Sequence, residues 1–126
     1  AGFSTAPKED LYIRIDPDLN RPNVADQGAD PDSFLNFVRK LISLRRSHEA
    51  LETNGAIEWI LPETGEFPLA YLRGGKILVI LNPNSESCIF ESNRPLDEAI
   101  FSIGKVAIHG LRVELSGSSG VVIRLR

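Results

Sequence analysis

Residues 67–82 read FPLAYLRGGKILVILN, two short apolar runs separated by a pair of glycines. Each run has the length and composition of a β-strand, and the Gly74-Gly75 pair between them is a two-residue hairpin signal. The stretch therefore predicts an antiparallel hairpin in the second half of the chain.

Segments with the two-residue period of strands flank this hairpin on both sides. Before it, the segment AIEWIL (56–61) alternates Ile57, Trp59 and Leu61 against Glu58. After it come four candidate strands between clusters of Gly, Ser, Pro and Asn: SCIFES (87–92), KVAIHG (105–110), LRVEL (111–115) and VVIRLR (121–126). Such short strands make an antiparallel meander or a Greek-key sandwich, and we predict a mainly β fold, an antiparallel Greek-key β-sandwich over residues 54–126.

An amphipathic helix is predicted upstream, in the stretch ADPDSFLNFVRKLISLRRSHEAL (29–51). Asp30 is a good N-cap residue and Pro31 suits the first helical position, while cations fill the last turn. We predict one helix over residues 30–48. Its apolar residues recur at the three- and four-residue spacing of a buried stripe; they are Phe34, Phe37, Val38, Leu41, Ile42 and Leu44.

Residues 1–29 have neither a helical nor a strand period and contain Pro7, Pro17 and Pro22. They therefore predict a long loop ahead of the helix. Within it, residues 11–15 could pair as a short strand, and Asp16-Pro17 would end that strand.

Composition limits the partners of the chain. Its 126 residues carry a net charge of −3 without a clustered basic face, which argues against nucleic acid and membranes as partners. Lys40, Arg45 and Arg46 fit the solvated side of the predicted helix. No apolar run reaches the ~18 residues of a membrane span. No signal peptide opens the chain, which favours a cytoplasmic location, although a fragment would carry no signal of its own.

The single cysteine excludes an internal disulfide. Only His48 and His109 could join it in a zinc site, which is too few ligands. We expect Cys88 to be a small buried strand residue, and we predict no metal and no other cofactor.

Asp16, Asp18 and Asn20 have the D-x-D-x-N spacing that opens a calcium-binding loop. The full pattern fails, because Arg21 stands where a glycine makes the sharp turn and Gln27 where a glutamate closes the shell. We expect these short side chains to stabilise turns instead.

Two carboxylate pairs are candidates for acid and base catalysis. Asp30 and Asp32 are expected at the helix start, and Glu63 and Glu66 beside a turn between strands. We predict structural roles for all four. The prediction for the whole chain is that it holds no catalytic, substrate-binding or metal-binding residue.

Two further patterns are weak signals of chemistry. Asp97 and His109 lack the G-x-S-x-G turn that would present a nucleophilic serine to them. The segments RGGK (73–76) and GSSG (117–120) do not lead from a strand into a helix, as phosphate-binding loops do. We expect turns at both glycine-rich segments.

Three aromatic residues, Trp59, Tyr71 and Phe67, could stack on sugar rings if the sandwich exposed them. Trp59 shares its predicted face with Ile57 and Leu61, and we therefore expect it in the core. Tyr71 is open to either interpretation.

One series of motifs runs through the first half of the chain: Ala1-Gly2-Phe3, Asn23-Val24-x-x-Gln27, Asp30-Pro31-x-Ser33, and Leu44-Arg45 followed by His48. In this order they resemble the carboxy-terminal third of α-amylase family glycoside hydrolases, in the α-glucosidase and oligo-1,6-glucosidase branch. The stretch PLAYLRGGKILVILNPNSES (68–87) is also similar to the first hairpin of domain C, the β-sandwich after the barrel in this family. Glu49 departs from the family pattern, in which a proline is usual.

The resemblance implies that residues 1–53 form the end of a (β/α)8 barrel, with a loop at 1–29 and the last barrel helix at 30–48. Residues 54–126 would be domain C. The parent would be a retaining α-glucoside hydrolase that uses two carboxylates. Its catalytic groups belong to barrel segments absent here. The upstream barrel is then the expected partner, and the isolated chain should be inactive and self-associate through the helix face.

Two alternatives stay open. Some relatives isomerise maltose or transfer glucosyl units on the same framework, as trehalose synthase does. A free-standing carbohydrate- or protein-binding sandwich would use Trp59 or Tyr71 as its contact.

Overall fold

A computed structural model describes residues 2, 4–18, 20–60 and 67–126. The chain divides into two compact units, Ala1–Leu44 and Arg45–Arg126. The second unit contains all the described strands, and the first contains a short helix and most of a longer one.

Eight antiparallel strands form two sheets in the second unit. The larger sheet has the order β1-β2-β3-β8-β5 and the smaller one the order β4-β7-β6. Because β8 lies between β3 and β5, the connections are of the Greek-key type. The predicted β-sandwich is confirmed. The strands are β1 (Ile57–Ile60), β2 (Leu69–Arg73), β3 (Ile77–Asn82), β4 (Cys88–Glu91), β5 (Leu96–Ile103), β6 (Val106–His109), β7 (Arg112–Leu115) and β8 (Ser119–Leu125).

The predicted central hairpin is present as β2 and β3. Arg73 lies opposite Ile77 in the register, and the Lys76 N–H donates to the Arg73 carbonyl at 3.0 Å. Gly74 and Gly75 have φ of +55° and +65°, which only glycine adopts readily, so the glycine pair makes this turn.

The core lies between the two sheets. It consists of alternate residues of the larger sheet packed against two residues of β7. Ile80, Val113 and Ile123 have no exposed surface. The buried residues of this core are Ala70, Leu72, Leu78, Ile80, Leu96, Val113, Leu115, Val121 and Ile123.

Strand β5 is a strand that the sequence pattern did not predict. Its register against β8 shifts twice, between Leu96 and Glu98 and between Ala99 and Phe101. Each shift breaks the alternation of apolar and polar residues by which strands are found in a sequence.

The region predicted as a loop, residues 1–29, contains a short helix that was not predicted. Helix α1 (Val24–Ala29) begins after Asn23, whose side chain accepts a hydrogen bond from the Asp26 N–H. A turn of 3-10 helix covers Lys8–Asp10. Residues 11–15 form no strand in the structure.

The long helix α2 (Phe34–Ser47) starts later than the predicted residue 30. Asp30 is the C-cap of α1, and its carboxylate accepts the Asp32 N–H at 2.9 Å. Ser33 caps α2 instead, because its hydroxyl accepts the Asn36 N–H at 3.3 Å and its carbonyl accepts the Phe37 N–H at 2.9 Å. The predicted N-cap at Asp30 is therefore wrong.

Helix α2 has no fully buried side chain. Of its apolar stripe, Phe34 is 74% and Ile42 47% exposed, and the remaining members are half-buried. Lys40, Arg45 and Arg46 are exposed, as predicted. None of the described helices is both long enough and apolar enough to cross a membrane.

Candidate functional site

An aromatic pair, Trp59 and Tyr71, lies on the larger sheet of the sandwich. Trp59 of β1 lies directly opposite Tyr71 of β2, and their ring centroids are 5.2 Å apart with planes inclined by 56°. Trp59 is 55% exposed and Tyr71 is half-buried. The expectation that Trp59 lies in the core is wrong.

The reason lies in the orientation of β1. Alternation along a strand divides its residues between two faces without saying which face is inward. Ile60 packs against the core, and Ile57 and Trp59 are exposed. In the register, Ile60 lies opposite the core residue Ala70, so the Ile60 face of β1 is the inward one and Trp59 lies on the other face.

The segment before β1 is attached to the sheet through Arg73. The Arg73 guanidinium donates from Nε to the Ala50 carbonyl at 3.2 Å and from a terminal nitrogen to the Glu52 carbonyl. A cleft of about 350 Å³ lies beside this contact, lined in part by Glu49 and Lys76. Since Arg73 has carbonyl acceptors for both of these nitrogens, it serves here as a structural tie.

Cys88 lies at the start of β4, half-buried and packed against the core. Burial raises the pKa of its thiol, so the neutral form is favoured near neutral pH. Among the described residues, no group of three or more His, Cys, Asp or Glu side chains is placed to hold a metal ion.

The D-x-D-x-N run forms successive turns. The carboxylate of Asp16 accepts the Asp18 N–H, and that of Asp18 accepts the Asn20 N–H, each at 2.9 Å. These are the local bonds that short acidic side chains make in turns, as predicted.

Asp97 and His109 lie on different sheets. Asp97 of β5 accepts Nε–H of Arg124 at 2.9 Å, and Glu98 accepts from another nitrogen of the same guanidinium at 2.9 Å. The hydrogen bond and charge of Asp97 raise the pKa of Arg124. His109 is at the exposed end of β6. Leu61, Glu63 and Glu66 lie outside the described residues, as do Ala1 and Phe3 of the first motif.

A cluster of polar groups around Gln27, which the sequence pattern did not predict, joins α1 to α2. The side-chain oxygen of Gln27 accepts the Leu35 N–H at 2.9 Å, one of the unpaired donors of the first turn of α2. The Gln27 carbonyl accepts from the Ser33 hydroxyl at 2.6 Å and from the Asn36 amide at 3.0 Å. The spacing Asn23-x-x-x-Gln27 was the available signal.

Known proteins that are similar in sequence to this chain are several times longer than it. No family model matches the chain. It is 31% identical to an oligo-1,6-glucosidase of Bacillus cereus over 127 aligned positions, which cover 98% of this chain and 21% of the relative. It is 30% identical to a probable oligo-1,6-glucosidase 2 of Bacillus subtilis (strain 168), over 72% of this chain and 16% of that relative.

Solved structures with a similar fold are also much longer than this chain. Trehalulose synthase MutB from Pseudomonas mesoacidophila MX-45 superposes with a TM-score of 0.75 over 99% of this chain and 24% of its own, at 22% identity. A MutB mutant in complex with the substrate sucrose gives a TM-score of 0.70 at 26% identity, over 82% of this chain and 20% of its own.

The chain thus spans about one fifth of the length of the relatives that it matches. This coverage fits the carboxy-terminal part of such an enzyme. The chain belongs to the α-amylase family of glycoside hydrolases and matches a non-catalytic part of these proteins.

Proposed function

We propose that the chain is the carboxy-terminal part of a glycoside hydrolase that acts on α-glucosidic oligosaccharides, and that it stabilises the catalytic barrel. The observation that carries this proposal is the alignment of 98% of the chain inside 21% of an oligo-1,6-glucosidase. The catalytic carboxylates of the parent would lie in the other four fifths.

We assign roles to the two regions of the chain from its resemblance to the α-amylase family. Residues 1–53 complete the barrel, with α2 as its last helix, and residues 54–126 form the sandwich domain. No residue of the chain contributes a catalytic group, a substrate ligand or a metal ligand. The exposed side chains of Phe34 and Ile42 on α2 support this division, because burying a large apolar side chain against the barrel stabilises a protein by about 1.5–3 kcal/mol.

An antibody raised against the 126-residue chain tests the proposal. We expect it to detect in the source cells a species several times heavier than 13.9 kDa. We also expect the immunoprecipitate to hydrolyse p-nitrophenyl α-glucoside, and the 126-residue chain alone to be inactive. A native species of about the chain's own mass would contradict the proposal.

A second candidate is favoured by the exposure of Trp59 beside Tyr71. Aromatic faces stack on sugar rings, and Trp59 lies on the edge strand of its sheet with Tyr71 beside it on the next strand. The sandwich would then be a carbohydrate-binding module. Trp59 is the single tryptophan of the chain, so titration with maltooligosaccharides would quench its fluorescence if it is the contact. Unchanged emission would exclude a Trp59 platform.

The reaction that the parent enzyme catalyses is a separate question from the family to which it belongs. Hydrolysis is the activity that oligo-1,6-glucosidase names imply, and the likeness to trehalulose synthase supports a transferring or isomerising parent as the alternative. Product analysis of the immunoprecipitate with maltose and sucrose distinguishes them, because a hydrolase releases glucose and an isomerase gives a disaccharide of unchanged mass.

A further inference from the structure

The first described residue is hydrogen-bonded to helix α1, more than twenty positions downstream. The Ala25 N–H donates to the Gly2 carbonyl at 3.0 Å. Ala25 lies in the first turn of α1, where backbone N–H groups have no partner inside the helix. The contact therefore brings together the two ends of the segment 4–22.

Gly2 is in a conformation and a space that exclude a side chain. Its φ is +73°, in the left-handed region that favours glycine. A Cβ atom built on Gly2 would overlap the side-chain amide of Asn23. Asn23 in turn is held by Asp26, to which its amide donates while its oxygen accepts the Asp26 N–H. Gly2 thus fits closely against the cap of α1.

The other side of α1 is held by the Gln27 cluster. The side chain of Gln27 bonds the first turn of α2, and the Asn36 amide donates to the Asp30 carbonyl at 2.7 Å. Helix α1 is short, and isolated helices of this length are unstable in water, so these side-chain bonds are what keep it in place. A segment tied to α1 is therefore tied to α2.

Between the two ends, the segment exposes an apolar tip. Tyr12 and Ile13 are 102% and 76% exposed, and turns at Asp16 and Asp18 follow them. We infer that Gly2, Asn23 and Ala25 form a clasp that holds the two ends of the intervening loop together and sets the position of its exposed tip at Tyr12 and Ile13.

Under the proposed function, on which this step alone rests, the clasped segment is a loop after a barrel strand. Such loops build the active site of barrel enzymes. Gly2 and Asn23 are then positioning residues, which act on the substrate only through the loop that they hold.

Limited proteolysis of the 126-residue chain tests the clasp without reference to any activity. Trypsin can cut after Lys8 and Arg14, both exposed in the loop. We expect Gly2→Ala to speed cleavage at these two bonds severalfold, since the added methyl group opens the clasp. Gly28→Ala is the matched control, because a Cβ at Gly28 has no atom within 4 Å, and it should leave the rates unchanged. Equal rates for the two variants would overturn the clasp.

Amide hydrogen exchange of the unaltered chain is a second test that needs no variant. We expect the Ala25 N–H to exchange severalfold more slowly than the Val24 N–H, because it has the Gly2 carbonyl as its partner. Exchange of both at the same unprotected rate would overturn the clasp.

The positioning role is tested separately in the longer enzyme that the proposed function requires. Gly2→Ala should raise KM for an α-glucoside severalfold with an unchanged thermal midpoint, and Gly28→Ala should leave KM unchanged. An unchanged KM with faster loop cleavage would overturn the positioning role and leave the clasp. A native species of 13.9 kDa would overturn the proposed function and leave the proteolysis result standing.

Discussion

The two units of the molecule differ in how they bury apolar side chains. In Arg45–Arg126, nine residues form a buried core between two sheets. In Ala1–Leu44, the one buried side chain among the described residues is the hydroxyl-bearing Ser33. The second unit therefore carries its own hydrophobic stabilisation, whereas polar clusters around Asn23 and Gln27 organise the first.

This difference indicates which of the two units has an apolar surface that additional protein would have to cover. Helix α2 has an amphipathic sequence, and the stripe that would be buried is half-buried at most. An apolar stripe of this width is usual in helices that pack against a core. We expect the apolar stripe of α2 to gain further stability from the barrel that the proposed function places upstream, whereas the polar clusters hold α1 within the 126-residue chain itself.

The largest expected effect is in the sandwich core. Replacing the fully buried Ile123 with alanine should lower the free energy of unfolding of the sandwich by about 2–5 kcal/mol, because it leaves a cavity between the sheets. Ile42→Ala on α2 is the control and should cost far less. Urea denaturation of both variants measures the two losses in free energy of unfolding. Equal losses would contradict the contrast between the units.

Asn82 should give a smaller loss in the same unit. Its side chain is 1% exposed, and its amide donates to the Glu86 and Ser116 carbonyls at 2.8 Å each. Asn82→Ala leaves these carbonyls without that partner and should cost about 1–3 kcal/mol in urea denaturation. The neighbouring Asn84 is exposed, and Asn84→Ala should be close to neutral. A neutral Asn82→Ala would mean that water replaces the amide at both carbonyls.

The thiol of Cys88 reports on burial at the margin of the core. Because its pKa is raised, less thiolate is present at a given pH, and a disulfide reagent should react severalfold more slowly than with the urea-unfolded chain. Because desolvation penalises the thiolate, the fold is most stable below the ordinary thiol pKa and loses stability as the pH rises through the raised folded pKa. Equal reactivity in the folded and unfolded chains would contradict the burial.

The smallest effect on stability is expected at Phe34. Its ring is 74% exposed, so Phe34→Ser should change the free energy of unfolding by less than about 0.5 kcal/mol. It should nevertheless reduce self-association of the isolated chain, measured by light scattering over a wide concentration range. The exposed Arg46 gives the control Arg46→Ser, and a chain that stays monomeric at every concentration would remove the proposed role of this face.

Local signals in the sequence were sufficient for several elements. The Gly74-Gly75 pair predicted its hairpin because both positions need positive φ. Strands β4, β6 and β7 alternate between more and less buried residues, and these three strands and β8 were predicted within a few residues. Strand β5 was missed, since its two register shifts break the alternation and its Asp97 and Glu98 bond with Arg124 across the sheet.

Two predictions failed because they depend on tertiary structure. Asp30 and Ser33 are both good N-cap residues, and because Asp30 is the C-cap of α1, Ser33 is the residue that caps α2. The pattern of β1 fixes which residues share a face, whereas its register against β2, which places Ile60 opposite the core residue Ala70, decides which face is inward. For the Gln27 cluster the sequence offered only the Asn23-x-x-x-Gln27 spacing, because the groups that bond Gln27 lie at and just after the start of a second helix.

Hydrogen exchange of the isolated 126-residue chain, resolved by peptide, is the most direct measurement of the contrast between the two units. We predict strong protection in β3 and β8, which pair with each other at the centre of the larger sheet, and much weaker protection over residues 34–44 of α2. Equal protection in both regions would show that the first unit is stable without further protein, and would contradict the dependence on an upstream barrel.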